Sequence, residues 1–356
     1  MLVYIGLFAV IIILDFVIRP NIGKKNKGLY VLIVSILLIL VSGLRHYSIG
    51  ADTLSYISDF QKHANDSLGE VLQEMINVYL NGATTTRDPG YGLFRIFVGS
   101  FTTNGTVFLL IVALIFNVAL SCSIYHNSRY PCISYVLYIA LFFSFYGITG
   151  VRQTLATAIC TMIGYEFVKR KQLGHFIICV LLASLLHRTA LIYLVFYFIA
   201  NKKLTKGYVS ILAGCAIFVF LNKSLVYEWL KEGTIYDFYD EMQSSVTWTM
   251  TICIIAVALF GIYNRKRLVS NNPQALHYIN AILISCCFLP LTYINPSTMR
   301  IVQYFSLSLL YLLPEFVMLF TRKNSSKTIA YIGIIVVLVF LCLRRAPEYY
   351  FIWQGM

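Results

Sequence analysis

Charge is the scarcest commodity in this chain of 356 residues. Only 12% of residues are Asp, Glu, Lys or Arg, where a soluble domain carries about 25%. That scarcity, with 59% hydrophobic residues and a mean hydropathy of +0.75, excludes an ordinary soluble domain and predicts an all-α polytopic integral membrane protein. Acid is scarcer than base, 15 residues against 28. In a soluble protein the formal net charge of +13 would point to nucleic acid, but the positive-inside rule accounts for much of it here. Cysteine is missing from the polar loops: all nine lie in or beside apolar runs (122, 132, 160, 179, 215, 253, 286, 287 and 342). No spacing resembles a zinc site, so neither a disulfide nor a structural metal is expected. The chain has no Gly-rich phosphate loop, nucleophile elbow or His/Cys cluster, and its lysine-rich loops are too short for a nucleotide-sugar domain. Met1–Val17 has no basic stretch before it and no cleavage site after it, and reads as a retained first helix rather than a signal peptide.

What is present is a series of apolar runs. A spanning helix needs about 20 residues, with a range near 17–25. Met1–Ile18, Leu29–Leu44, Thr106–Tyr125, Cys132–Phe145, Arg152–Val168, Gly207–Leu221, Thr247–Tyr263, Leu276–Tyr293, Ile301–Phe320 and Thr328–Leu343 read as spans. Phe176–Leu186 and Thr189–Ala200 are short and meet at His187-Arg188, a pattern expected of broken helices. The count is about 12 spans. Ser55–Ala64 and Leu68–Leu80 have helical periodicity with mixed polarity and are expected to lie along the membrane surface; Tyr91–Phe101 is short enough to be interfacial or re-entrant. The whole chain, 1–356, reads as one membrane domain. Its polar segments 45–92 and 222–246, the second with Asp237, Asp240 and Glu241, are expected to pack over its outer mouth.

Loops holding Lys24, Arg129, Lys171, Lys202, Lys266 and Lys323 alternate onto one face and carry 11 of the 14 lysines. That face is expected to be cytoplasmic, with both termini outside. The opposite face keeps arginine instead, at positions 45, 87, 95, 152, 188, 300, 344 and 345. Topology alone does not choose between lysine and arginine. A planar five-donor fork that binds phosphate bidentately does, so a multi-oxygen anion is expected there.

The candidate site is read from four stretches. Gly147-Ile148-Thr149-Gly150-Val151-Arg152-Gln153 is a hinge between two apolar runs, and an arginine at membrane depth costs about 2.5–3.5 kcal/mol on insertion scales, which makes it a functional candidate. In Arg45-His46-Tyr47-Ser48-Ile49-Gly50-Ala51-Asp52, the glycine permits a turn that would fold Asp52 back toward Arg45, either as a loop-closing ion pair or as a phosphate ligand beside a base. His187, next to Arg188, is suited to take up a hydroxyl proton near neutral pH, as is Asp52 by its carboxylate. Arg300 opens a helix after Asn295-Pro296, with Gln303 and Tyr304 one turn on. By contrast, Arg87-Asp88-Pro89-Gly90-Tyr91-Gly92 reads as a turn, scaffold rather than chemistry.

Three ordered blocks resemble the EpsG-like branch of the Wzy-type polysaccharide (O-antigen or exopolysaccharide) polymerases. They are Leu44-Arg45 with Gly50-Ala51-Asp52, Tyr56 and Phe60; Gly150-Val151-Arg152-Gln153 with Ala156, followed by Ala183 through Leu191 around His187; and Arg300 with Tyr304-Phe305 and Leu313-Pro314. The resemblance spans nearly the whole chain and departs from the family at Arg188, where a small residue is usual, and at Ala51-Asp52. It implies a metal-independent, cofactor-free, inverting glycosyltransferase of the class-C kind in the bacterial cytoplasmic (inner) membrane, with its active face extracytoplasmic. The implied substrates are undecaprenyl-pyrophosphate-linked oligosaccharides, within membrane lipids and without nucleic acid; a chain-length regulator or a flippase would be the partner proteins. Arg45, Arg152, Gln153, Arg188, Arg300, Tyr56 and Tyr304 would bind pyrophosphate and sugar, and His187 or Asp52 would be the base. A lipid-linked oligosaccharide flippase, an O-antigen ligase-type transferase and a glycan acyltransferase are the competing readings. One-sided arginines disfavour a flippase, which needs a path open to both faces.

Overall fold

The computed structural model describes residues 1–81, 88–232, 248–320, 324–344 and 346–354. Arg87, Arg345, Lys323 and most of the polar segment 222–246, with Asp237, Asp240 and Glu241, lie outside the described residues. Among those described, secondary structure is helical apart from one isolated antiparallel bridge between Arg45 and Phe351. Two apolar helices open the chain, α1 (Leu2–Ile18) and α2 (Lys24–Gly43). Two amphipathic ones follow, α3 (Thr53–His63) and α4 (Leu68–Tyr79). The start of α4 is set by a capping box, in which Ser67 and Glu70 each bond the other's backbone N–H.

Next come α5 (Gly90–Gly99) and α6 (Gly105–Asn127), the latter capped by the Asn104 carboxamide oxygen. Instead of two plain spans, residues 131–169 form a chain of short pieces: α7 (Pro131–Leu141), a π-helix Ser144–Thr149, α8 (Val151–Thr157), a second π-helix Ala158–Ile163, and α9 (Gly164–Lys169). The hinge expected at Gly147–Gln153 is thus a π-turn followed by a break at Gly150. The carbonyls it exposes are satisfied from α2 and its sequel. Ser42 Oγ and Arg45 Nη1 donate to Gly147 O, and Thr53 Oγ1 to Ile148 O at 3.3 Å.

The hairpin predicted around His187 is α10 (Leu173–Leu186), an extended His187, a 3₁₀ turn Arg188–Tyr193 and α11 (Leu194–Ala200). Then follow α12 (Lys206–Leu221), α13 (Lys223–Glu232), α14 (Trp248–Tyr263), α15 (Arg265–Asn271) and α16 (Ala275–Phe288). The expected run 301–320 divides into α17 (Met299–Ser306) and α18 (Leu309–Val317), and α19 (Asn324–Leu343) follows. Pro314 inside α18 cannot donate to Leu310 O, and Ser134 Oγ of α7 supplies that bond at 2.6 Å.

By length and composition, four of these helices are apolar enough to cross a membrane: residues 24–43, 105–127, 275–293 and 325–343. Counting two sharply bent pairs as single spans, 206–230 and 248–271, raises this to six. Apolar helices 2–18, 131–141, 173–186 and 188–200 are shorter. The protein is therefore a polytopic membrane protein, helical and with four to six such spans among the described residues. π-turns, prolines and the His187 break divide several of the apolar runs that made up the expected 12.

The main core joins α1, α2, α6, α7 and α16–α18, and a smaller one of Ile57, Phe60, Tyr91, Val98, Phe108 and Leu155 holds α3 and α5 on α6 and α8. The two ends of the bundle differ in chemistry. At one, Lys27 Nζ donates to Ser128 O, Lys169 Nζ to Asn127 Oδ1, Arg129 to Asn271 O and Arg267 to Leu319 O, at 2.6–2.8 Å. The candidate site lies at the other, beyond the first turns of α6 and α8.

Candidate functional site

The geometry centres on a residue that sequence composition consigned to a turn. Asp88 is only 4% exposed at its side chain. Its Oδ2 accepts from Arg152 Nη1 at 2.9 Å and faces His187 Nδ1 at 3.2 Å, while Oδ1 accepts the Arg188 backbone N–H at 3.0 Å. Three segments far apart in the chain thereby meet on one carboxylate. Close packing makes this possible: a Cβ on Gly90 would sit 2.6 Å from the Leu185 carbonyl oxygen, so glycine lets the start of α5 rest directly on the end of α10.

Burial by itself would push the Asp88 carboxyl up. The hydrogen bond and charge of His187, the charge of Arg152 and the Arg188 N–H outweigh it and hold Asp88 below the usual carboxylate range. His187, at the break beyond α10, moves the other way on balance: burial and the charges of Arg300 and Arg152 lower it, against the pull of Asp88. An ionised carboxylate only accepts hydrogen bonds, so the neutral imidazole donates from Nδ1. That choice places the ring's lone pair on Nε2, which is buried and has no partner among the described residues.

Arginines surround this dyad. Arg152 also donates from Nε to the Tyr56 hydroxyl at 3.4 Å and lies 5.7 Å from the Tyr56 ring centroid. Arg188 lies over Tyr79 at 5.5 Å, and its Nε–H is buried without an acceptor among the described residues. Gln153 Nε2 donates to the Arg300 carbonyl at 2.8 Å, tying α8 to α17. Thr189 Oγ1 and Tyr304 Oη are 3.4 Å apart, tying the turn after His187 to the same helix. Arg152, His187 and the Arg188 backbone thus meet on Asp88, with Tyr56 behind Arg152, while Gln153 and Thr189 fasten these segments to α17, which carries Arg300 and Tyr304.

Arg45 and Asp52 stand apart from it. Arg45 is 3% exposed and spends its guanidinium on Ser42 O, Gly147 O and Thr53 Oγ1, one layer beneath the site. The turn at Gly50 is present, with φ +95°. It leaves Asp52 half-buried at the head of α3, and no ion pair with Arg45 forms among the described residues. Of the other outer arginines, Arg95 pairs with Asp59 at 2.7 Å and Arg344 is exposed at the end of α19.

Asp88 escaped sequence reasoning because Asp-Pro-Gly is ordinary turn composition. Nothing local set Asp88 apart from Asp52, Asp59, Asp66, Glu70 and Glu74, which share the polar segment 45–92 with it. A buried, carboxylate-oriented imidazole ringed by arginines can take a proton from a hydroxyl and stabilise a departing phosphate. No curated protein and no solved structure matches the chain. The EpsG family model matches residues 28–353, nearly the whole length, and the chain accordingly belongs to the EpsG family, a Wzy-type polysaccharide polymerase-like family.

Proposed function

We propose that this protein joins lipid-linked oligosaccharide repeat units into a surface polysaccharide on the outer leaflet of the bacterial cytoplasmic membrane, as an inverting glycosyltransferase. The single observation that carries the reading is His187, whose Nδ1–H is engaged by Asp88 and whose Nε2 is left as an unpartnered base among arginines.

In the proposed step, the acceptor unit's sugar hydroxyl attacks the anomeric carbon of the donor glycan. Its proton passes to His187 Nε2 as the new glycosidic C–O bond forms. The bond from that carbon to the pyrophosphate oxygen breaks, and the electron pair leaves with undecaprenyl pyrophosphate. Attack opposite the leaving group inverts the anomeric configuration. Arg152, Arg188 and Arg300 stabilise the charge developing on the pyrophosphate, and Tyr56, Gln153 and Tyr304 position sugar and arginines. Asp88 orients His187 and stabilises the imidazolium, a division of labour known from carboxylate–histidine pairs in hydrolases. His187 is preferred to Asp52 as the base because, among the described residues, no hydrogen bond or ion pair joins the Asp52 carboxylate to the cluster, which it meets only through its backbone carbonyl and the Tyr56 N–H. Arg45 is assigned to holding the π-turn that presents Arg152. The lysine-rich end faces the cytoplasm in this reading.

The test is glycan laddering in a deletion strain complemented with wild type, Asp88→Asn, Arg152→Lys or His187→Ala at matched expression. The expected result is a ladder from wild type that collapses to single repeats with each variant, a loss of about 10²–10⁴-fold for the base and its partner. A deletion strain that strands lipid-linked repeats on the cytoplasmic leaflet would make the protein a flippase instead.

A further inference from the structure

A second feature runs from the site down the outer wall of the bundle. α19 packs on α7, and α14 packs on α16. Between α14 and α19 a groove of about 440 Å³ remains, lined only by apolar side chains and Cys253, with Val257, Phe260, Leu313 and Leu338 along its floor and walls. Val337 lines it and is 56% exposed, so the groove opens sideways where lipid would be. At its upper end it meets a cavity of about 400 Å³ that contains Arg300, Gln303 and Ser297; Leu141 and Leu341 line both. From Ala330 to Cys342, α19 runs along the two for about 18 Å at 1.5 Å per residue.

The mouth is not what a lipid-facing wall requires. Gln303 is 8% exposed, its Oε1 is buried without a partner among the described residues, and it faces the cavity that Arg300 shares. Arg300 in turn lies close enough to His187 to depress its protonation. A bilayer acyl chain needs only apolar surface. An amide oxygen awaiting a donor and a guanidinium, set together at the head of a long apolar groove, match a molecule with a long hydrocarbon tail, a phosphate and a hydroxyl-bearing group in that order.

We propose that the α14–α19 groove seats the isoprenoid chain of a polyprenyl-pyrophosphate-linked glycan, with pyrophosphate at Arg300 and a hydroxyl of the first sugar on Gln303 Oε1. The proposal rests on the polymerase reading for the glycan, and on the groove alone for the position of the tail.

The experiment uses the full chain in nanodiscs and a polyprenyl pyrophosphate carrying a photoactivatable diazirine in its tail. Adducts are expected on α14 and α19 residues that line the groove, suppressed by excess unlabelled polyprenyl pyrophosphate but not by phosphatidylglycerol. A Cβ at Gly333, which lines the groove, or at Gly214 on α12 would meet nothing within 4 Å. Gly333→Phe should therefore fill the groove and cut labelling at least about tenfold, a loss of about 1.4 kcal/mol in binding, while Gly214→Phe labels like wild type. Adducts mapping elsewhere, equal competition by phosphatidylglycerol, or undiminished labelling of Gly333→Phe would each overturn the proposal. The wild-type adduct map decides even if Gly333→Phe misfolds. Labelling reads binding rather than transfer: groove adducts without a glycan ladder would sink the polymerase reading alone, and a ladder with adducts elsewhere would sink the groove alone.

Discussion

Asp88 carries a heavier burden than any other carboxylate described at the site end, because one buried charge orders both an arginine and a histidine. Removing one partner of a buried ion pair strands the other, at a cost of about 3–5 kcal/mol, whereas removing both is much milder. Arg152→Ala and Asp88→Ala should each lower the thermal stability of the detergent-solubilised protein, and the double variant should cost less than the sum of the two. Strict additivity would show that the pair at 2.9 Å is not coupled. The imidazole makes a pH prediction with a definite sign. A base works when neutral, and burial together with Arg300 and Arg152 lowers His187 from its ordinary value near 6.5. Repeat joining in reconstituted membranes should therefore be flat through neutral pH and fall only on acidification below about 6.5. In Asp88→Asn the carboxylate that raises His187 is gone, so the residual activity should lose its acid limb at still lower pH. An acid limb above neutrality in wild type would remove His187 from the role of base.

Among the elements, the short and broken ones set the site. Arg152 projects from the first turn of α8 because the π-turn before it ends at Gly150, and that π-turn persists because Ser42, Arg45 and Thr53 cap its carbonyls. Asp88 reaches His187 because α5 begins with a glycine pressed on Leu185. Gly90→Ala adds one methyl group where the neighbour is backbone and cannot swing aside, so overpacking of about 1–3 kcal/mol is expected. α5 should shift away from α10 and carry Asp88 with it. The glycan ladder should then shorten even though no charged residue has changed, and Gly174→Ala, where a Cβ meets open space, should leave it intact. An unchanged ladder in Gly90→Ala would mean that Asp88 reaches its partners without this close approach.

Across the whole molecule, lysine gathers at one end with a share of the arginines, while the other end carries arginine with little lysine. Lys27, Arg129, Lys169 and Arg267 knit one end together through backbone carbonyls and Asn127, while Arg152, Arg188 and Arg300 gather at the other. If the lysine-rich end is cytoplasmic, cysteines placed at the exposed positions Lys25 and Leu54 should differ in sidedness. In a background with the exposed Cys122 and Cys215 replaced by alanine, a membrane-impermeant thiol reagent applied to whole cells should label Leu54→Cys and spare Lys25→Cys. The reverse pattern would put the Asp88 cluster inside and remove the outer-leaflet polymerase reading.

Composition and periodicity determined that the chain is helical and membrane-bound, that it breaks at His187 and near Gly150, and that arginine concentrates on one face. These follow from the cost of polar groups in hydrocarbon, a cost that each residue or short run incurs independently of the rest of the fold. They also sufficed to single out Arg152, His187 and Arg300. Which charges meet was decided only by tertiary structure. The sequence offered Asp52 as Arg45's partner through a nearby turn, yet Arg45 turned inward to carbonyls freed by a π-helix a hundred residues away. Asp88 became the hub through a glycine contact with α10. A pairing of this kind depends on the approach of distant backbones to within hydrogen-bond reach, and no local pattern in the chain encodes that distance.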